Sequence, residues 1–130
     1  MTDPHLALAE RLIDAITAGN VDAVRDIYAP DATIWHNHDG VAQSVEENLA
    51  VLRWVVGRVR DLRYEEIRRR ATADGFVQQH VLRGTAPSGQ ALAIAACLIG
   101  TVREGRIVRL EEYLDPTQFA PLLVSPATNR

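Results

Sequence analysis

Glu112 is the residue whose neighbours first suggest chemistry. Residues at alternate positions of a strand share a face, so Val108, Leu110, Glu112 and Leu114 point one way while Ile107, Arg109, Glu111 and Tyr113 point the other. The first set is the more apolar and is expected to meet the core, which places a carboxylate among aliphatic side chains. Burying a carboxylate is costly unless it is paired or hydrogen-bonded, and a desolvated carboxyl is also how proteins prepare a general base or acid. The alternative for Glu112 is an ion pair with an arginine near a sheet edge.

A second concentration of polar groups is Trp35-His36-Asn37-His38-Asp39, which holds an indole donor, two imidazoles, an amide and a carboxylate within five residues. Alternation divides it: Trp35 and Asn37 face one way and His36 the other, so a single subset lines any pocket. His36 and His38, with Asp39 or His80, are also a minor candidate set of metal ligands. No HExxH or paired-cysteine spacing supports a metal, and the expectation is none. The third group, Gln78-Gln79-His80, lies in a strand with Val77, Val81 and Leu82, where buried polar side chains need partners. Gln79 is expected to face inward.

Several chemistries are excluded by residue type. The chain has no lysine, which removes Schiff-base chemistry and lysine-anchored pyridoxal phosphate. Three serines stand outside any GxSxG setting, and no GxGxxG or P-loop pattern occurs. No cofactor is expected. A net charge of -3 gives no reason to expect a nucleic-acid or membrane partner, and the short Arg68-Arg69-Arg70 run reads as a solvated strand face. Cys97 is alone and sits in an apolar stretch, as an inert buried thiol in a reducing compartment would. Met1-Thr2-Asp3-Pro4-His5 lacks the basic and apolar regions of a signal peptide, and no run of about 18 apolar residues exists, so a cytoplasmic protein is expected.

The elements that must position these groups follow from periodicity and turn chemistry. With 130 residues and 47% hydrophobic content, the chain suits one domain over residues 1–130, with a loose tail at about 125–130. Asp3 and Pro4 start a helix whose Leu6, Ala9, Ile13 and Ile16 form an apolar face, and Gly19 ends it. Asn20 caps a second helix with Val21, Val24, Ile27 and Tyr28 inward. A strand at Ala32 to Asn37 and a polar loop lead to Ser44 and Glu47, a capping box for a third helix with Leu49, Leu52, Val56 and Val59 buried. Turn residues then separate strands at Leu62 to Ala73, Phe76 to Thr85, Ala91 to Arg103 and Arg106 to Leu114. Three helices followed by a meander predict an α+β fold in which N-terminal helices close a curved antiparallel sheet around an apolar pocket. The wall of that pocket is expected to include Ile94, Leu98, Val81, Val108, Leu110 and Leu52.

Ala18-Gly19-Asn20-Val21-Asp22-Ala23-Val24, the strand Asp31-Ala32-Thr33-Ile34-Trp35, and the ending Gly105-Arg106-Ile107-Val108 to Glu112-Tyr113-Leu114-Asp115 together resemble the SnoaL-like branch of the nuclear-transport-factor-2-like superfamily. The resemblance spans nearly the whole chain and implies a cone-shaped α+β half-barrel. The superfamily includes ketosteroid isomerases, polyketide cyclases, limonene-epoxide hydrolases and noncatalytic binding modules. Likeness to the epoxide hydrolases implies that Glu112 stands at the water-activating carboxylate and Asn37 at a water-holding amide. Trp35 replaces that family's tyrosine, and Gln79 and Val81 stand where it has arginine and aspartate. Compared with the ketosteroid isomerases, Leu12 occupies the place of the helix-one tyrosine, and Cys97 and Leu98 lie near that of the protonated aspartate. Polyketide cyclisation, which needs one acid or base, asks for fewer groups.

Two functions follow as expectations. One is a cofactor-free lyase, isomerase or hydrolase acting on a hydrophobic small molecule, with Glu112 as base, Asn37, Trp35 and Gln79 positioning water or substrate, and His36 or His80 moving a proton. The other is a noncatalytic binding module built on the same pocket. A homodimer through the outer sheet face, which carries Arg63, Arg69, Arg83, Arg103 and Arg109, is the expected assembly.

Overall fold

The computed structural model describes residues 3–124, so the expected loose tail at about 125–130 lies outside the described residues. Three helices, α1 (Pro4–Thr17), α2 (Val21–Ile27) and α3 (Val45–Arg58), pack on one face of a six-stranded sheet. Its strands are β1 (Tyr28–His36), β2 (Ala42–Gln43), β3 (Arg60–Thr72), β4 (Gly75–Thr85), β5 (Ala91–Arg103) and β6 (Arg106–Leu114). A short helix α4 (Pro116–Phe119) and a 3-10 turn (Ala120–Leu123) follow.

Local chemistry accounts for most element ends. The Asp3 carboxylate accepts from the His5 amide at 2.8 Å and Pro4 opens α1, while Gly19 leaves it at a φ of 73° that favours glycine. Asn20 Oδ1 accepts from the Ala23 amide at 3.1 Å to cap α2. Ser44 and Glu47 form a reciprocal capping box at 3.2 and 2.8 Å. The β5–β6 hairpin turns through Glu104 and Gly105, both at positive φ, as a two-residue type I′ loop requires.

The strands run in the order β2-β1-β6-β5-β4-β3. All pairs are antiparallel except β1 and β6, which are parallel, with His36 opposite Glu112. This pairing departs from an entirely antiparallel sheet: β1 is the return of the helical segment and enters beside the last strand. It also explains why β1 begins at Tyr28, which pairs with Ile107, four residues before the expected start. β2 falls within the expected polar loop and makes a two-residue ladder to Ile34 and Trp35.

The main core lies between the sheet and α1 and α2, where Leu8, Leu12, Ile13, Ile16, Val24 and Ile27 meet Phe76, Leu98, Ile107 and Leu110. A smaller cluster of Val59, Ala86, Leu92, Ile94 and Leu122 closes the far end. Arg58 fastens that end by donating from Nε to the Leu122 carbonyl and from a terminal nitrogen to that of Val124, both at 3.1 Å. α3 tilts differently from expectation: Val45, Asn48 and Leu49 are buried, whereas Leu52, Trp54 and Val55 face an open cavity.

Of the register shifts in the sheet, those in β6 and in the middle of β3 bear most on which of these residues face inward. Between Val102–Ile107 and Thr101–Arg109 the ladder advances one residue on β5 and two on β6, so Val108 is the extra residue. Ile107 and Leu110 therefore both reach the core, and the expected placement of Val108 in the pocket wall is corrected. A second shift lies in β3 between Glu65 and Arg68, with Glu66 at a φ of 56°. It reverses the alternation of β3, so that Tyr64 and Arg69 both face inward, and Arg69 leaves the outer face where strict alternation would put it.

Candidate active site

A cavity of about 370 Å³ opens between the helices and the concave sheet face. Its size suits a small-molecule ligand. Most of its wall is aliphatic, with Leu12, Ile13 and Ile16 from α1, Leu52 and Val55 from α3, and Ile94, Leu98 and Leu110 from the sheet. Glu112, His36, His80, Tyr28 and Tyr64 interrupt this apolar surface, and His38, Asp39, Trp54 and Phe119 also line it.

The parallel register of β1 and β6 sets His36 beside Glu112, and His36 Nε2 lies 3.1 Å from Glu112 Oε1. The side chains are 12% and 23% exposed, so the pair is largely shielded yet open to the cavity. Burial of His36 works against a charged ring, but the hydrogen bond to Glu112, reinforced by the charges of Glu112 and Asp39, prevails and holds its pKa above the ordinary histidine value. His36 Nδ1 is buried and has no hydrogen-bond partner among the described residues. Burial first, and then the Glu112 charge, pushes the Tyr28 and Tyr64 phenols well above the usual tyrosine range. Both therefore remain protonated donors at neutral pH.

His80 has the opposite environment. Burial depresses its pKa and outweighs the opposing pull of the Glu112 charge, with a smaller contribution from Arg69 in the same direction as burial. Its ring meets the Tyr64 ring edge-on, with centroids 4.7 Å apart. Nδ1 lies 2.8 Å from Gln78 Nε2, and Gln78 Oε1 accepts from Arg69 Nε at 2.6 Å.

Of the residues singled out in the sequence, Glu112, His36, His80, Ile94, Leu98, Leu110 and Leu52 come together around the cavity. Asn37 does not. It begins the turn after β1, and its amide clamps the Leu114 backbone, donating to the carbonyl at 3.2 Å and accepting from the N–H at 2.9 Å. Trp35 lies on the outer face, edge-on to Tyr113 at 5.3 Å, because His36 takes the inward position. Gln79 and Val81 are also outward, opposite Cys97 and Ala95, because Gln78, His80 and Leu82 share the inner face. Cys97 is half-buried, and burial raises its thiol pKa. Among the described residues no three His, Cys, Asp or Glu side chains converge as a metal-binding group.

Sequence reasoning does not single out Tyr64, reads Tyr28 as an inward residue of a helix, and favours Gln79 over Gln78 as the inward amide. Parity contained part of the signal, since an inward His80 implies an inward Gln78, and Leu62 and Tyr64 share a face. Tyr28 reads as helical in the sequence because the parallel partner that extends β1 is 79 residues away, at Ile107.

This architecture is that of a known class. The chain belongs to the SnoaL-like domain family, whose model matches residues 9–110. Its fold is similar to that of a protein from Xanthomonas campestris pv. campestris provisionally named a polyketide cyclase, with 17% identity, a TM-score of 0.80, and coverage of 93% of this chain and 97% of that one. It is similar also to IdmH of Streptomyces antibioticus, likewise a provisional polyketide cyclase, at 23% identity and a TM-score of 0.79, covering 95% of this chain and 100% of that one. A provisional isomerase from Bacillus subtilis has 12% identity and a TM-score of 0.79, over 92% of each chain. At these identities the likeness establishes the fold. No curated protein sequence matches significantly. No described helix is long and apolar enough to cross a membrane.

Proposed function

We propose that the protein is a cofactor-free enzyme that moves a proton on a hydrophobic carbonyl compound, as an isomerase or cyclase does, with Glu112 as base. The observation that carries this reading is the Glu112–His36 pair in the wall of an otherwise apolar cavity. His36 engages Oε1, which leaves Oε2 for a substrate proton. Removal of a proton from carbon next to a carbonyl transfers it to Glu112 and leaves the electron pair as an enolate. The developing oxyanion suits the protonated phenols of Tyr28 and Tyr64. In an isomerisation the proton returns to another carbon. In a cyclisation the enolate carbon attacks a second carbonyl, a C–C bond forms, and the new alkoxide takes a proton from the Glu112–His36 pair, restoring the starting state. The provisional cyclase and isomerase names of the structural neighbours agree with this chemistry.

Hydrolysis is less well served, because the Asn37 amide is occupied by the Leu114 backbone and Trp35 lies outside the cavity. The test is hydrogen–deuterium exchange next to the carbonyl of apolar β-dicarbonyl compounds in deuterated water, followed by NMR. The wild type is expected to accelerate exchange, and Glu112→Gln to lose about 10²-fold or more of that rate while keeping its fold. Exchange undiminished in Glu112→Gln overturns the assignment of the base. A bound compound recovered with all its protons instead supports a binding module.

A further inference from the structure

Gln78 is wholly buried, has no contact with the cavity, and is an unusual side chain to place in the middle of a sheet. Its orientation is dictated from one side. The Arg69 guanidinium can only donate, so the atom 2.6 Å from its Nε must be the amide oxygen of Gln78; a flipped amide would set two donors against each other. The amide nitrogen then faces His80 Nδ1 at 2.8 Å, and that nitrogen also can only donate. Nδ1 of His80 must therefore accept, and it carries no proton. A neutral imidazole bears its single proton on one nitrogen, which leaves it on Nε2 of a ring that lines the cavity.

We infer that Arg69 and Gln78 are positioning residues that hold His80 as the neutral Nε2–H tautomer, a hydrogen-bond donor for a substrate carbonyl or enolate oxygen. The role of donor rests on the proton-transfer reading above, whereas the tautomer rests on geometry alone. The bulge at Glu66 is what makes the relay: it turns Arg69 inward and sets it directly opposite Gln78 in the β3–β4 ladder. The charged and titratable groups around the ring, Arg69 and Tyr64 from β3 and Glu112 from β6, act in both directions. Burial decides the balance, and the ring stays neutral. A neutral imidazole donates a hydrogen bond without surrendering its proton, as an oxyanion-stabilising group should.

The experiment is ¹⁵N NMR of the unliganded protein labelled at histidine, with His80 assigned by its loss in His80→Phe. In the wild type at about pH 7, Nε2 is expected to read as protonated and Nδ1 as unprotonated. Gln78→Glu replaces the obligatory donor with an acceptor while keeping a partner for Arg69. It is expected to place a proton on Nδ1, by tautomer reversal or by charging the ring, and to raise the pH at which His80 titrates by about one unit or more. Should that variant not fold, Arg69→Met frees the amide to flip and is expected to give a mixture of the two tautomers. A wild-type ring protonated on Nδ1, or an unchanged tautomer in a folded variant, overturns the inference. Because the readout needs no substrate, its failure is separate from a failure of the proposed reaction, which appears only in the exchange assay.

Discussion

His36 and His80 are pushed toward opposite charge states by what surrounds them. His36 gains from Glu112 and Asp39, while burial of His80, helped slightly by Arg69, outweighs the pull of Glu112 and disfavours a charged ring. The consequence for stability has a definite sign. A histidine whose folded pKa lies above its unfolded value contributes stability that is fully present below about pH 6.5 and is lost as pH rises through the folded value. His80, depressed on folding, contributes in the reverse sense and loses stability as pH falls. Comparing wild type with His36→Gln separates the two. The stability advantage of the wild type in urea denaturation is expected to be larger at about pH 6 than at about pH 8. A gap that is constant, or that widens on raising the pH, would show that the Glu112 pair does not favour protonated His36.

At the scale of elements, close approach between strands is what lets the sheet bend around the cavity. Gly100 of β5 lies against the ring of Phe76 in β4, which is completely buried, and a methyl group there would collide with ring carbons Cε2 and Cζ. The ring has no room to retreat, so Gly100→Ala is expected to destabilise the protein by about 1–3 kcal/mol. Gly57 in α3 has open space around it and an ordinary helical backbone, so Gly57→Ala is expected to stabilise by about 0.5–1 kcal/mol. Thermal melts of the two variants should therefore move in opposite directions, and a neutral Gly100→Ala would mean that β4 and β5 separate more easily than their packing implies.

For the whole molecule, the outer face of the sheet contrasts with the filled inner one. Ile99 and Tyr113 are exposed there, on the face that also carries Arg68 and Gln79. Covering such a face is what a homodimer through the sheet would accomplish, with the cavities facing away from the interface. Sedimentation at micromolar concentration is expected to give a dimer that Ile99→Arg dissociates; a wild-type monomer would contradict this assembly. Arg69 takes no part in that surface, because it is committed to Gln78 on the inner side.

Helix starts and stops, the hairpin turns and the α+β class were legible because each depends on neighbours within a few positions: Asp3 with Pro4, Ser44 with Glu47, Glu104 with Gly105. So was Glu112 as a carboxylate on an apolar face, since Leu110 and Leu114 flank it without interruption. What tertiary structure alone decided was parity and partnership. One extra residue at Val108 and another near Glu66 reverse the faces of everything beyond them, and strand periodicity gives no warning of either. The parallel docking of β1 on β6 chose His36 over Asn37 as the partner of Glu112, and spent the Asn37 amide on the Leu114 backbone. The Arg69–Gln78–His80 relay joins residues on two strands whose register is set by a bulge, so its existence depends on long-range pairing that local sequence does not encode.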